Sequence, residues 1–179
     1  MAQPKPEYQQ LVRALAESQW GEPSVVVHMG DVGPAFDVPG RRKDGTVTGT
    51  KLVRRFFWNL FRGTIGGLVS LVLSVAGGGA ASVFTRSGKV TGPANAQALG
   101  LVDAAKAARG AWLVASPSHL AVVDTGPVFY DPQDNPPPRI VWHAEKPHLP
   151  RIAPGGRRIS WPDGSVFEFT FSAKELRSE

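Results

Sequence analysis

The chain has 179 residues, with 20 Lys/Arg against 15 Asp/Glu, 20 glycines, 16 prolines and no cysteine. This length holds one domain of ordinary size plus an appendage, and an apolar content of 42% is that of a folded protein. The missing cysteine excludes a disulfide framework, a thiolate zinc site, an iron–sulfur cluster and a cysteine nucleophile. The net charge of +5 is one local block, because residues 1–40 sum to −3, residues 41–62 to +6 and the remainder to +2.

The opening MAQPKPEYQQ has no basic segment followed by an apolar run, so the N-terminus is expected in the cytoplasm. Residues 7–20 place Tyr8, Leu11, Val12 and Leu15 at helical spacing, with prolines before them and Gly21 after, which predicts an amphipathic helix. Ser24–His28 is a short β-branched strand, and Gly30–Gly45 reads as loop. Next comes a basic-aromatic collar, in which Phe56, Phe57, Trp58 and Phe61 are interleaved with Arg54, Arg55 and Arg62. Such rings favour the headgroup level of a bilayer, and the guanidinium groups reach phosphates from there. Residues 63–84 then carry no charge until Arg86 and Lys89, and about 20 residues is what a helix needs to cross the hydrocarbon. Only Leu68–Ala76 is densely apolar, so three geometries stay open: a spanning helix or re-entrant hairpin, an interfacial segment, and a glycine-rich buried element of a soluble protein. Gly63, Gly67 and Ser70, then Ser74 and Gly78, form a small-residue helix face suited to a homo-oligomer.

Residues 91–110, from Pro93 to Gly110, predict an alanine-rich helix with Leu99, Val102 and Ala105 on one side. From Ala111 the period changes to two, and residues 111–171 read as about six short strands. VFY at 128–130 is one of the apolar runs in this stretch, and a proline-rich loop follows it. The clearest hairpin is the last, with Phe167, Phe169 and Phe171 facing one way and Val166, Glu168 and Thr170 the other. Ser172 and Glu175 then have the form of a capping box. With few helices intervening, the sheet is expected to be antiparallel and to close or be covered at its edges.

Three stretches of this tail, GAWLVASPSHLAVVD, RIVWHAE and RRISWPDGSVFEFTF with the helix start after it, resemble bacterial pleckstrin-homology-like domains over roughly residues 110–179. The resemblance implies a strongly bent, partly open sheet capped by a C-terminal helix, and a role in binding lipid, peptide or self without catalysis. The helix at 7–20 is a second element available to cover the open end. The expected organisation is α+β: residues 1–50 as helix, strand and loop; 51–90 as collar and membrane-associating segment; 91–110 as a helix; 111–179 as a small antiparallel, partly open β-barrel or bent sheet.

Other chemistry is weakly signalled. His28 and Asp31 lie close enough to meet one ion at a strand end, but a zinc site usually has three protein ligands. Ser116, Ser118, His119 and Asp124 are the residue types of a nucleophilic triad, yet His119 and Asp124 fall on opposite faces of a strand and no G-x-S-x-G elbow surrounds either serine. His143 and His148 have no helical ligand spacing, the glycine runs lack a phosphate-loop frame, and the prolines at 136–138 read as a spacer. No cofactor or metal is implied. The functional expectation is a non-catalytic, membrane-associated binding or scaffold protein. Its lipid-contacting residues are Arg41, Arg42, Lys43, Lys51, Arg54, Arg55, Phe56, Phe57, Trp58, Phe61 and Arg62, and its β module takes an unidentified protein partner. Nucleic acid is disfavoured, because stacking on single strands does not need the uncharged stretch that follows. The alternative is a soluble assembly subunit whose glycine-rich segment packs against another subunit. If 63–85 spans, the surplus of Lys51, Arg54, Arg55 and Arg62 over Arg86 and Lys89 exports the β module.

Overall fold

The computed structural model describes residues 4–48, 83–153 and 157–171. Helix α1 spans Pro6–Trp20, followed by strands β1 (Val25–His28), β2 (Ala35–Asp37) and β3 (Val83–Thr91). Helix α2 spans Ala98–Ala107. Strands β4 (Ala111–Ala115) and β5 (His119–Asp124) follow, then a 3-10 turn at Pro132–Asp134, β6 (Arg139–Glu145), β7 (Arg151–Ile152), β8 (Arg158–Ser160) and β9 (Val166–Phe171). The fold is α+β, with two helices and two mostly antiparallel sheets that do not close into a barrel. One sheet has the order β1-β4-β5-β6 and the other β2-β3-β9-β8-β7. All neighbours are antiparallel except β2 and β3, which run parallel with Phe36 opposite Val90.

Residues 111–171 supply the six strands expected of them, but not as one sheet. β4–β6 form a meander in the first sheet and β7–β9 a meander in the second. β1 adds to the first sheet with His28 opposite Trp112, and β2–β3 add to the second, so both sheets draw strands from either side of residue 111. The VFY run forms no strand. Tyr130 N–H instead donates to Pro127 O in a turn (3.4 Å).

The helices differ from expectation in instructive ways. α1 stops at Gly21, whose φ of 65° and N–H to Glu17 O (2.9 Å) close the last turn. Its buried strip is Tyr8, Val12 and Ala16, while Leu11 is exposed. This strip lies with Val26, Trp112, Val114, Val123 and Val128 on the outer face of the first sheet. α1 therefore covers a sheet face and does not plug an open end. α2 begins at Ala98, five residues beyond Pro93, because partners distant in sequence satisfy its first donors. Gln97 N–H donates to the Asp163 carboxylate (2.7 Å), and Ala98 N–H donates to Ser165 Oγ (3.1 Å). Its buried residues Ala98, Leu101, Val102 and Ala105 share one core with Leu113, Leu120 and Val122 of the first sheet and Phe36, Val90, Ile159, Phe167 and Phe169 of the second. It is α2 that joins the two sheets.

Val83, Phe84 and Thr85, the end of the uncharged stretch, belong to β3, where Val83 pairs with Phe171 and Phe84 with Thr170. The capping box at Ser172 and Glu175 lies outside the described residues, as does the small-residue face at 63–78. Among the described residues no helix is long and apolar enough to cross a membrane.

Candidate functional site

Of the eleven residues expected to contact lipid, Arg41, Arg42 and Lys43 fall within the described structure. Lys51, Arg54, Arg55, Phe56, Phe57, Trp58, Phe61 and Arg62 lie outside it. The three described cations sit in a tight turn between β2 and the start of the collar. Arg41 pairs with Val47 as an isolated bridge, Arg42 N–H donates to Thr46 O (2.9 Å), and Gly45 N–H donates to Arg42 O (2.8 Å). Asp44 braces the turn by accepting from Thr46 N–H (2.9 Å) and Thr46 Oγ1 (2.7 Å). The backbone N–H bond comes first among the causes that hold its carboxyl below the usual carboxylate range. Gly45 is required here, since its φ is +87° and a Cβ would meet the Phe36 ring at 2.5 Å.

The turn divides the cations by role. The Arg41 side chain is 9% exposed and forms a two-pronged pair with Asp103 of α2, with Nη1 to Oδ1 at 2.7 Å and Nη2 on Oδ2. Its guanidinium lies 5.5 Å from the Phe36 ring centroid, and Lys106 Nζ lies 5.1 Å from the same centroid while donating to Asp44 O (3.2 Å). Arg41 thus fastens the turn to α2. Arg42 and Lys43 are exposed at the tip and are the cations presented to solvent.

A second polar cluster, legible in sequence only as residue types, joins the end of α1 to the β4–β5 turn. The Glu22 carboxylate accepts from Ser118 Oγ (2.6 Å) and Ser116 Oγ (2.8 Å), and the Ser118 bond comes first among the causes that lower its pKa. His119 Nδ1 lies 3.0 Å from Ser118 Oγ, its Nε2 lies 3.6 Å from Glu145, and its ring stacks on Trp20 at 4.7 Å and 3°. Ser118 directs its hydrogen to the Glu22 carboxylate, whereas in a nucleophilic triad the serine hydrogen is directed to the histidine. Asp124, the acid the sequence offered, sits at the other end of β5. Its Oδ1 accepts from the N–H groups of Arg109 (3.2 Å), Gly110 (3.2 Å) and Gly126 (3.0 Å), so it organises a backbone turn. Glu22 was beyond the reach of sequence reasoning because it is 96 residues from Ser118, and no local pattern signals the pairing.

His28 is buried against Trp112, with ring centroids 4.9 Å apart, and burial pushes its pKa down to about 4. A neutral, enclosed imidazole fits a core role. Among the described residues no group of three His, Cys, Asp or Glu side chains is placed to hold a metal ion. Two open clefts flank β6. One of about 660 Å³ is lined by Arg109, Asp124, Tyr130, Asn135 and Arg139 among others. The other, of about 560 Å³, is lined by Gln19, Trp20, His119, Ile140, His143 and Glu145. α1 covers β1 and β4, and the second cleft lies where the outer face continues over β5 and β6. Comparison with protein-family models, with curated proteins and with solved structures finds no match to this chain.

Proposed function

We propose that the chain is a non-catalytic, membrane-associated binding protein that contacts anionic lipid through residues 42–62 and offers its β-rich part to a protein partner. The observation that carries this reading is where the two ends of residues 49–82 lie. The Arg41–Val47 turn precedes the segment, β3 follows it, and β2 beside that turn is the parallel neighbour of β3. A parallel pair needs a crossover connection, and the collar and all but the last residues of the uncharged stretch fall within this one. A single membrane crossing between β2 and β3 would put two paired strands on opposite sides of a bilayer. The embedding is therefore re-entrant or interfacial, both ends stay on one side of the bilayer, and the exposed Arg42 and Lys43 add to the cationic flank.

Flotation of the full chain with vesicles tests the proposal. Binding is expected to vesicles containing phosphatidylglycerol and not to pure phosphatidylcholine. Reversing both Arg54 and Arg55 to Glu should weaken it tenfold or more, at roughly 1 kcal/mol per juxtamembrane cation. Quantitative recovery from cells in the soluble fraction without detergent, with no flotation, favours the assembly-subunit alternative and overturns the proposal. Geometry is tested separately in this cysteine-free chain. Cysteines placed at Thr48 and Ser87 label from the same side of sealed vesicles if the segment re-enters, and from opposite sides if it spans.

A further inference from the structure

We infer that β6 is a dimerisation edge, on which a second copy of this chain adds its own β6 antiparallel to form a continuous eight-stranded sheet. β6 is terminal in its sheet, and at seven residues it is the longest terminal strand of the two described sheets, against four for β1, three for β2 and two for β7. A terminal strand presents backbone donors and acceptors that template another strand. Of the devices that usually blunt such an edge, β6 has a single bulge, at Val141. The strand holds no proline, its centre is Ile140, Val141 and Trp142, all half-buried, and its full charges stand at the two ends.

The charges specify the occupant. The Arg139 side chain is 75% exposed and borders the cleft that also holds Arg109. The Glu145 side chain is 60% exposed and borders the cleft at the opposite end. An antiparallel newcomer passes Glu145 first and Arg139 last, so it must carry a basic residue at its start and an acidic one at its end. RIVWHAE, the sequence of β6 itself, has this order. A two-fold axis at Trp142 sets Arg139 of each copy opposite Glu145 of the other, Ile140 opposite Ala144, and the two Trp142 residues opposite each other. The contacts these residues make within one copy, the Arg139–Asp124 ion pair and the approach of Glu145 to His119 Nε2, are both 3.6 Å long with an exposed partner and hold them only weakly.

Growth stops at two copies. The other edge of the sheet, β1, is four residues long and carries α1 alongside.

The test is a charge swap read by sedimentation equilibrium of the full chain, in detergent where solubility demands it, with circular dichroism as the check on folding. The wild type is expected to dimerise. Arg139→Glu alone and Glu145→Arg alone are each expected to weaken the dimer about tenfold or more, because each sets like charges directly opposite across the ladder. The double variant R139E/E145R restores complementarity in mirror order and is expected to recover dimerisation. A monomeric wild type overturns the inference. So does a dimer indifferent to either single reversal, as contact through residues 63–78 would give, and so does a double variant no tighter than the singles.

Discussion

The two sheets are built from the same chain on opposite plans. The first is covered on both faces: α1 lies on one side of β1 and β4, and the common core with α2 lies on the other. Its central strand β4 is accordingly apolar throughout, with every residue buried, and the middle of β5, Leu120–Val123, is apolar and buried as well. Among the described residues the second sheet is covered on one face only. Its inner face carries Phe36, Val90, Ile159, Phe167 and Phe169, and its outer face carries charges that run across four strands. Asp37 of β2 pairs with Lys89 of β3 at 2.8 Å, Lys89 stands opposite Glu168 of β9, and Glu168 pairs with Arg158 of β8 at 3.7 Å. One sheet is held by what encloses it and the other displays an alternating ladder of charge to solvent. Losses of stability should therefore concentrate in the first sheet, and screening by salt should be felt in the second.

The largest expected effect comes from breaking the enclosure. Trp112 is buried between α1 and the first sheet and donates its indole N–H to Thr125 Oγ1 at 3.0 Å. Trp112→Ala is expected to lose about 3–5 kcal/mol in a urea titration. A loss under about 1 kcal/mol would mean that α1 does not cover the sheet tightly.

The next effect is a pH dependence arising opposite Trp112. The folded state keeps His28 neutral down to about pH 4, while the unfolded chain protonates it below its ordinary value of 6.5. The unfolded state thus binds the extra proton between these values. Stability from this group is complete above pH 6.5 and falls as the pH drops toward 4, by roughly 3 kcal/mol in all. Denaturation midpoints measured across this range should flatten in His28→Phe. An unchanged slope would place the titrating group elsewhere.

The smallest effect belongs to the ladder. Lys89→Ala is expected to change stability by less than about 1 kcal/mol, and by less again in high salt. A larger, salt-insensitive loss would show that the outer face of the second sheet is covered and not solvated.

What could be read in advance follows the same division. β9 was legible because one covered face makes its residues alternate, with Phe167 and Phe169 inward and Glu168 outward. β4 and β5 were legible as apolar runs bounded by turn residues. β2 was not. It is three residues long between Pro34 and Pro39, and it is a strand only because β3, far along the chain, pairs with it. α1 was read with Leu11 on its apolar face. Contact with β1 and β4 instead selects the narrower strip Tyr8, Val12 and Ala16, in which the small Ala16 admits close approach. The functional residues were hardest. Arg41 counts in sequence as one more cation of a basic block, and only its place against Asp103, 62 residues away, shows that it is bound inward while Arg42 and Lys43 are not.

The order of the second sheet sets a timetable for its assembly. Among the described strands β9 is the last along the chain and the middle one of five in its sheet, with β3 on one side and β8 on the other. Before it arrives, β2–β3 and β8–β7 are two separate ribbons, neither stable alone in water. The collar and the uncharged stretch leave the ribosome well before residue 166. A nascent chain therefore carries these residues while the second sheet is still unmade, and Phe167 and Phe169 arrive late to complete its inner face.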